Sequence, residues 1–190
     1  MHRIAFLTAA ACLALPATTS GAVGSYTFDG GTKTERETVV AALEASSFDW
    51  TLLPGPVAIH IVHGEPSRSL PHEIWLEADL LDAGEFAWGV VQHEFAHQVD
   101  YLLLDDAQRD LLLHELGGRD WCYSVPGLAH DQYGCERFAS TLAWSFWPSR
   151  QNSMRPTHRG DESAAMAPAK FRALVSKLTS HTARRSTREH

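Results

Sequence analysis

Between Gly84 and Leu104 the sequence places apolar residues on nearly every side of a helix. Phe86, Val90 and Leu104 fall on one face, and Trp88, Val91, Phe95, Val99 and Leu102 on another. A helix with no polar stripe has no side to offer water, so the pattern predicts a buried helix around which the rest of the chain packs. The polar residues inside it then need a reason, because a polar side chain buried without a partner is costly. Three of them are His93, Glu94 and His97. Four residues apart on a helix, the two imidazoles project from one face about one turn from each other.

The remaining pattern alternates short strands with helices. A Gly-rich start leads to Thr34-Glu35-Arg36-Glu37, read as a capping box for a helix reaching about Ala45. Pro54-Gly55-Pro56 breaks the chain, and Val57 to Val62 has the β-branched character of a buried strand. A loop through Pro66 and Pro71 is expected next, then a strand over 73–79, where Ile74, Leu76 and Ala78 alternate with polar residues and Trp75. Asp105 or Asp106 is placed to cap a helix that ends at Gly117-Gly118. Residues 119–130 read as irregular, about 131–147 as a helix, 148–165 as a loop and 168–178 as a short last helix.

Composition narrows the compartment and the partners. Met1-His2-Arg3, the apolar run Ile4–Leu15 and the small residues Ser20-Gly21-Ala22 have the order of a secretory signal peptide. Cleavage after Ala22 would leave one domain's worth of chain and remove Cys12. Cys122 and Cys135 then remain as an even pair, expected to form a disulfide in an oxidising compartment. The expected organisation is a signal peptide over 1–22, a catalytic-type domain over 23–147, and a C-terminal loop, short helix and basic tail over 148–190. Residues 23–149 carry 6 Lys and Arg against 20 Asp and Glu, whereas 150–190 carry 9 against 3. So acidic a body argues against nucleic acid as a partner. No membrane span is expected after signal cleavage, and a secreted monomer is the expected state.

His93-Glu94-Phe95-Ala96-His97 has the HExxH spacing, which suits two zinc–nitrogen bonds and puts Glu94 next to a metal-activated water as general base. A catalytic zinc needs a third protein ligand and an open position. His114, Glu115, His130, Asp131 and Glu136 are the downstream candidates. Glu136 is favoured because it opens an apolar helix whose Ala139 and Ala143 allow close approach to the metal helix, with His130 next. Asp100, three residues after His97, is placed to accept the imidazole N–H that the metal leaves free.

HEFAHQVD, followed by Tyr133-Gly134 and Glu136-Arg137-Phe138-Ala139, resembles the gluzincin peptidases, in particular the catalytic-domain family of anthrax lethal factor, over roughly residues 56–147. The resemblance implies an α+β, minimal zincin-like domain: a small mixed β-sheet packed on a buried metal-binding helix and a second, ligand-bearing helix. It implies zinc on His93, His97 and Glu136, Glu94 as base, and Tyr133 as oxyanion donor, with Tyr123 or a histidine as the alternative. It also implies that the strand at 73–79 borders the cleft and that the substrate is a peptide or protein. Ser140 departs from that pattern, standing where the family tends to carry an acid that braces a zinc ligand. A non-catalytic zinc-binding or interaction module is the alternative reading.

Overall fold

The computed structural model describes residues 19–21 and 24–186. Of the expected signal peptide, only residues 19–21 fall among them. The architecture is α+β, as expected: six helices and a mixed sheet. Strands β1 (Thr19–Gly21), β2 (Gly24–Gly30), β3 (Val57–Val62), β4 (Arg68–Leu70) and β5 (Glu73–Glu77) lie in the order β1-β2-β3-β5-β4. The β2–β3 and β3–β5 pairs are parallel; β1 and β4 each close an edge in antiparallel fashion.

Residues two apart in a strand share a face. Val57, Ile59 and Ile61 of β3 and Ile74 and Leu76 of β5 are therefore buried on one side, while Ala58, His60 and Val62 face the other and are half-buried. The buried side meets the helices. Helix α1 (Lys33–Ala45) begins after Gly30 and Gly31, both at positive φ. A Cβ on Gly30 would lie 2.6 Å from the Ile61 carbonyl oxygen, so the turn out of β2 requires glycine there. The capping box is Thr32 with Glu35, two residues ahead of the expected Thr34–Glu37 pair. Both pairs fit the S/T-x-x-E pattern. The earlier one prevails because the glycine turn ends at residue 31 and leaves Thr32 extended and its N–H free for Glu35.

After α2 (Ala78–Leu81), the long helix α3 (Glu85–Leu103) runs through the middle of the molecule. From Val91 to Asp100 every residue is buried, as its all-round apolar pattern requires. It packs against α1, α5, β4 and β5, and Phe95 meets Trp50 edge-on at 5.6 Å between ring centroids. Helix α4 (Asp106–Leu116) is capped by Asp105, with Gln108 completing the box, and stops at Gly117 in the left-handed conformation. Helix α5 (Gly134–Phe146) packs against α3, and the small residues Ala96 of α3 and Ala139 and Ala143 of α5 are all fully buried.

Two regions differ from expectation. The edge of the sheet is β4, not the strand over 73–79: β5 is interior, and Ala78 already opens α2. Arg68-Ser69-Leu70 lies within the stretch read as a loop, being short and mostly polar, and only its pairing with β5 makes it a strand. The second region is 148–165, which is ordered by its contacts. Asn152 is buried and donates through Nδ2 to the carbonyls of Ala143 (3.0 Å) and Trp147 (2.8 Å), closing the end of α5. A Cβ on Gly89 would collide with Asn152 and Ser153, so this segment rests directly on α3. The last helix, α6 (Pro168–Ser186), extends past the expected Leu178, with Phe171 and Val175 buried in the common core. No helix among the described residues is long and apolar enough to cross a membrane.

Candidate metal centre

The two histidines of α3 and Glu136 in the first turn of α5 meet where the helices cross. His93 Nε2 lies 3.2 Å from His97 Nε2 and 3.1 Å from Glu136 Oε2, and His97 Nε2 lies 3.5 Å from the same oxygen. Bonds of about 2.0–2.1 Å in a tetrahedral sphere set ligand atoms roughly 3.3 Å apart. The triangle of donor atoms has that size, and all three side chains are buried. These residues could hold a metal ion.

The charge balance agrees. Glu94 is also buried, and burial pushes its carboxyl above the ordinary glutamate value. Burial acts the same way on Glu136, but its bonds from His93 and His97 outweigh it and hold that carboxyl well below the usual range. Burial works to lower His93, yet its bond to Glu136 prevails and raises it. Two buried carboxylates beside two imidazoles are a set that a divalent cation neutralises.

The two imidazoles differ at their other nitrogens. His93 Nδ1 lies 3.1 Å from Ser140 Oγ, and the Ser140 hydroxyl donates to Glu162 Oε2 at 2.7 Å. Ser140 is where a bracing acid was expected; here a serine passes the contact on to a glutamate from another segment. His97 Nδ1 is buried with no hydrogen-bond partner among the described residues. Asp100 does not brace it. Its carboxylate instead accepts from Arg109 Nε at 2.8 Å and from Trp121 Nε1 at 3.1 Å, because its own helical position turns it toward α4 and the segment beyond.

Ser67, Arg68, Ser69, His93, Glu94, His97, Tyr101, Tyr123, His130 and Glu136 line a cavity of about 140 Å³. Its sheet-side wall is β4. Gln98, on α3, binds the turn after β4 through several bonds: Oε1 accepts from His72 N (2.8 Å), and Nε2 donates to the Leu70 (2.8 Å) and Glu73 (3.2 Å) carbonyls. Ser69 Oγ donates to the Glu94 carbonyl at 2.8 Å, and the Tyr101 hydroxyl to the Ser69 carbonyl at 3.2 Å. Burial, followed by the nearby Asp100 charge, pushes that tyrosine up to about 12, so it remains a donor.

The opposite wall is the irregular segment 119–133. Its ends pair as an isolated bridge between Asp120 and Tyr133. The Cys122–Cys135 disulfide, with Cα atoms 5.6 Å apart, fastens it beside Glu136. It closes thirteen residues, for which chain entropy predicts at most about 3 kcal/mol. A disulfide is what the even cysteine pair predicts, and it is compatible with an oxidising compartment.

Tyr133 does not reach the cavity. It precedes α5 and is turned inward, and its hydroxyl donates to the Val125 carbonyl at 2.8 Å. Tyr123 takes that place, with its hydroxyl donating to Glu136 Oε1. Burial, then that bond, raises the Tyr123 phenol far above its ordinary value. His130 stands beside it, its Nε2 3.3 Å from Glu136 Oε2 and its Nδ1 2.6 Å from Glu162 Oε1. Glu162 has no motif around it in the sequence; only the packing of its turn against α5 brings it here. Comparison with family models, curated proteins and solved structures returned no match.

Proposed function

We propose that the protein is a secreted zinc-dependent peptidase of the gluzincin type, with His93, His97 and Glu136 holding the metal. The observation that carries this reading is the 3.1–3.5 Å triangle of Nε2, Nε2 and Oε2 atoms at the base of an open cavity that Glu94 also lines. Zinc, when bound, polarises a carbonyl and lowers the pKa of a coordinated water to about 7. The rest is the work of this chain's side chains. Glu94, raised by burial, takes a proton as general base and hands it to the departing amine as general acid. The Tyr123 hydroxyl is a donor on the cavity wall available to a developing oxyanion, and His130 turns its Nε2 toward the same cavity. Strand β4, at the sheet edge, has one side that pairs with no other strand among the described residues, along which an extended peptide can add by backbone hydrogen bonds. The disulfide and the signal-like start of the chain support export.

The test is metal content followed by one isosteric change. Purified mature protein is expected to hold zinc near one equivalent. Glu94→Gln is expected to retain the zinc and to lose hydrolysis of a peptide library by about 10²–10⁴-fold. Absence of zinc would end the enzyme reading, and unchanged cleavage by the variant would remove Glu94 from its role.

A second reading, a zinc-binding module without turnover, is favoured by His130 Nε2 lying 3.3 Å from Glu136 Oε2. A histidine so near one ligand could fill the open position. Zinc bound by a wild-type protein that cleaves no peptide is the outcome that would select it.

A further inference from the structure

Resting on the metal reading above, we infer that Glu162 is a positioning residue that orients two groups of the site at once, the metal ligand His93 and the cavity histidine His130. It comes from a short turn (Glu162–Ala164) in the stretch whose composition suggested only a loop. Its two oxygens have different partners. Oε2 accepts from Ser140 Oγ at 2.7 Å, and Ser140 Oγ lies 3.1 Å from His93 Nδ1; Oε1 lies 2.6 Å from His130 Nδ1.

The direction of the hydrogen bonds follows from the donors. With His93 Nε2 turned to the metal triangle, its proton resides on Nδ1 and is donated to Ser140 Oγ. The serine hydroxyl then donates to the carboxylate at 2.7 Å, a far stronger acceptor than the Met154 sulfur at 3.7 Å. On the other branch an ionised carboxylate is acceptor only, so His130 Nδ1 donates to it and Nε2 is turned toward the cavity. Burial works to raise the Glu162 carboxyl, but the bonds from His130 and Ser140 outweigh it and keep it ionised.

The carboxylate is itself held in place. The Glu162 carbonyl accepts from Thr141 Oγ1 at 3.2 Å, Ser163 is buried, and the turn packs on α5 one helical turn beyond Glu136. One side chain thus sets the ring orientation of a ligand on α3 and of a histidine on the disulfide-linked wall. Nothing comparable holds His97, whose Nδ1 has no partner among the described residues. Partners of metal-ligating histidines typically change metal affinity by 10–100-fold when removed.

The experiment compares wild type, Ser140→Ala, Glu162→Gln and the double variant in the mature protein. Zinc affinity is measured by competition with a chelator, and the hydrogen-bonded Nδ1–H signals of the histidines in the zinc-loaded protein by ¹⁵N NMR. Both single variants are expected to weaken zinc about 10–100-fold, and the double variant no more than the worse single, since both break one chain. Glu162→Gln is expected to shift or lose the hydrogen-bonded Nδ1–H signals of both His93 and His130, and Ser140→Ala that of His93 alone. Melting curves separate a lost fold from a lost orientation, and the small Ser140→Ala change keeps the His93 branch testable if Glu162→Gln does not fold. Wild-type zinc affinity and unchanged Nδ1–H signals in Glu162→Gln would overturn the inference while leaving the peptidase reading standing. A wild type that binds two zinc ions, with Glu162→Gln losing only one, would make Glu162 a ligand and overturn it too. A wild type that binds no zinc would overturn both.

Discussion

The two walls of the cavity are gripped by the same helix two residues apart, and they differ in how much they need it. On the sheet side, Gln98 bonds to backbone groups of residues 70–73, a hairpin already paired through β5 to the rest of the sheet. On the far side, Asp100 takes the Trp121 indole and the Arg109 guanidinium, and the segment 119–133 has only an isolated bridge of its own. That wall also carries the disulfide. Each wall contains a non-glycine residue at positive φ, His72 (65°) and Tyr123 (54°), a conformation that costs on the order of 1–2 kcal/mol. His72 is held there by its N–H bond to Gln98, and Tyr123 follows directly on the cross-linked Cys122. Regular structure needs a light clasp, whereas irregular chain beside a site needs a half-buried ion pair and a covalent tie.

The comparison breaks most visibly at Asp100. Asp100→Ala leaves Arg109 Nε and the Trp121 N–H without their acceptor, while half-buried Arg109 keeps Asp106 and the Asp100 carbonyl, and losing charged hydrogen bonds of this kind costs about 3 kcal/mol. Thermal or denaturant unfolding is expected to show a loss of that order, with limited proteolysis cutting first between 119 and 133. A small loss with no new cleavage would mean that the disulfide alone holds this wall.

The two tyrosines of that wall sharpen the contrast in function. Tyr123→Phe removes a cavity donor and is expected to lower kcat by about 10²–10³-fold with zinc retained. Tyr133→Phe removes one bond to the Val125 carbonyl and is expected to cost about 1 kcal/mol of stability with kcat almost unchanged. The reverse ranking would return the oxyanion role to Tyr133.

Gln98→Ala has the smallest expected effect, about 2 kcal/mol for the hydrogen bonds it removes around residues 70–73. Because the hairpin remains paired to the sheet, KM for an extended peptide should rise while kcat and zinc affinity hold. Loss of zinc in this variant would show that the clasp supports α3 itself.

How much was legible follows the range of each interaction. The buried α3, the close pair His93 and His97 and the stop at Gly117 depend on residues within a turn or two, and the pattern gives them directly, while it narrows the cap of α4 to Asp105 or Asp106. Strand β5 was readable from its alternation, but its place inside the sheet was not, since nothing in residues 68–70 announces an edge strand. Glu136 was readable because it opens an apolar helix with small residues facing α3. Asp100 was singled out as a brace for His97, but it is buried against other partners. Spacing alone could not tell a histidine three residues earlier from an arginine nine residues later.

By itself, then, the sequence determined a buried helix with two imidazoles on one face, a carboxylate between them in order, a second helix able to approach it, and a cysteine pair. Helical geometry makes such relations local, so they hold whatever the rest of the chain does. Tertiary structure decided that Tyr123 and not Tyr133 faces the cavity, that β4 is the edge, and that Glu162 reaches both His130 and Ser140. Those contacts join residues 13 to 32 positions apart through irregular chain. They depend on where the disulfide, the Asp100 ion pair and the packing of the 148–165 segment lead the backbone, and no periodicity records that path.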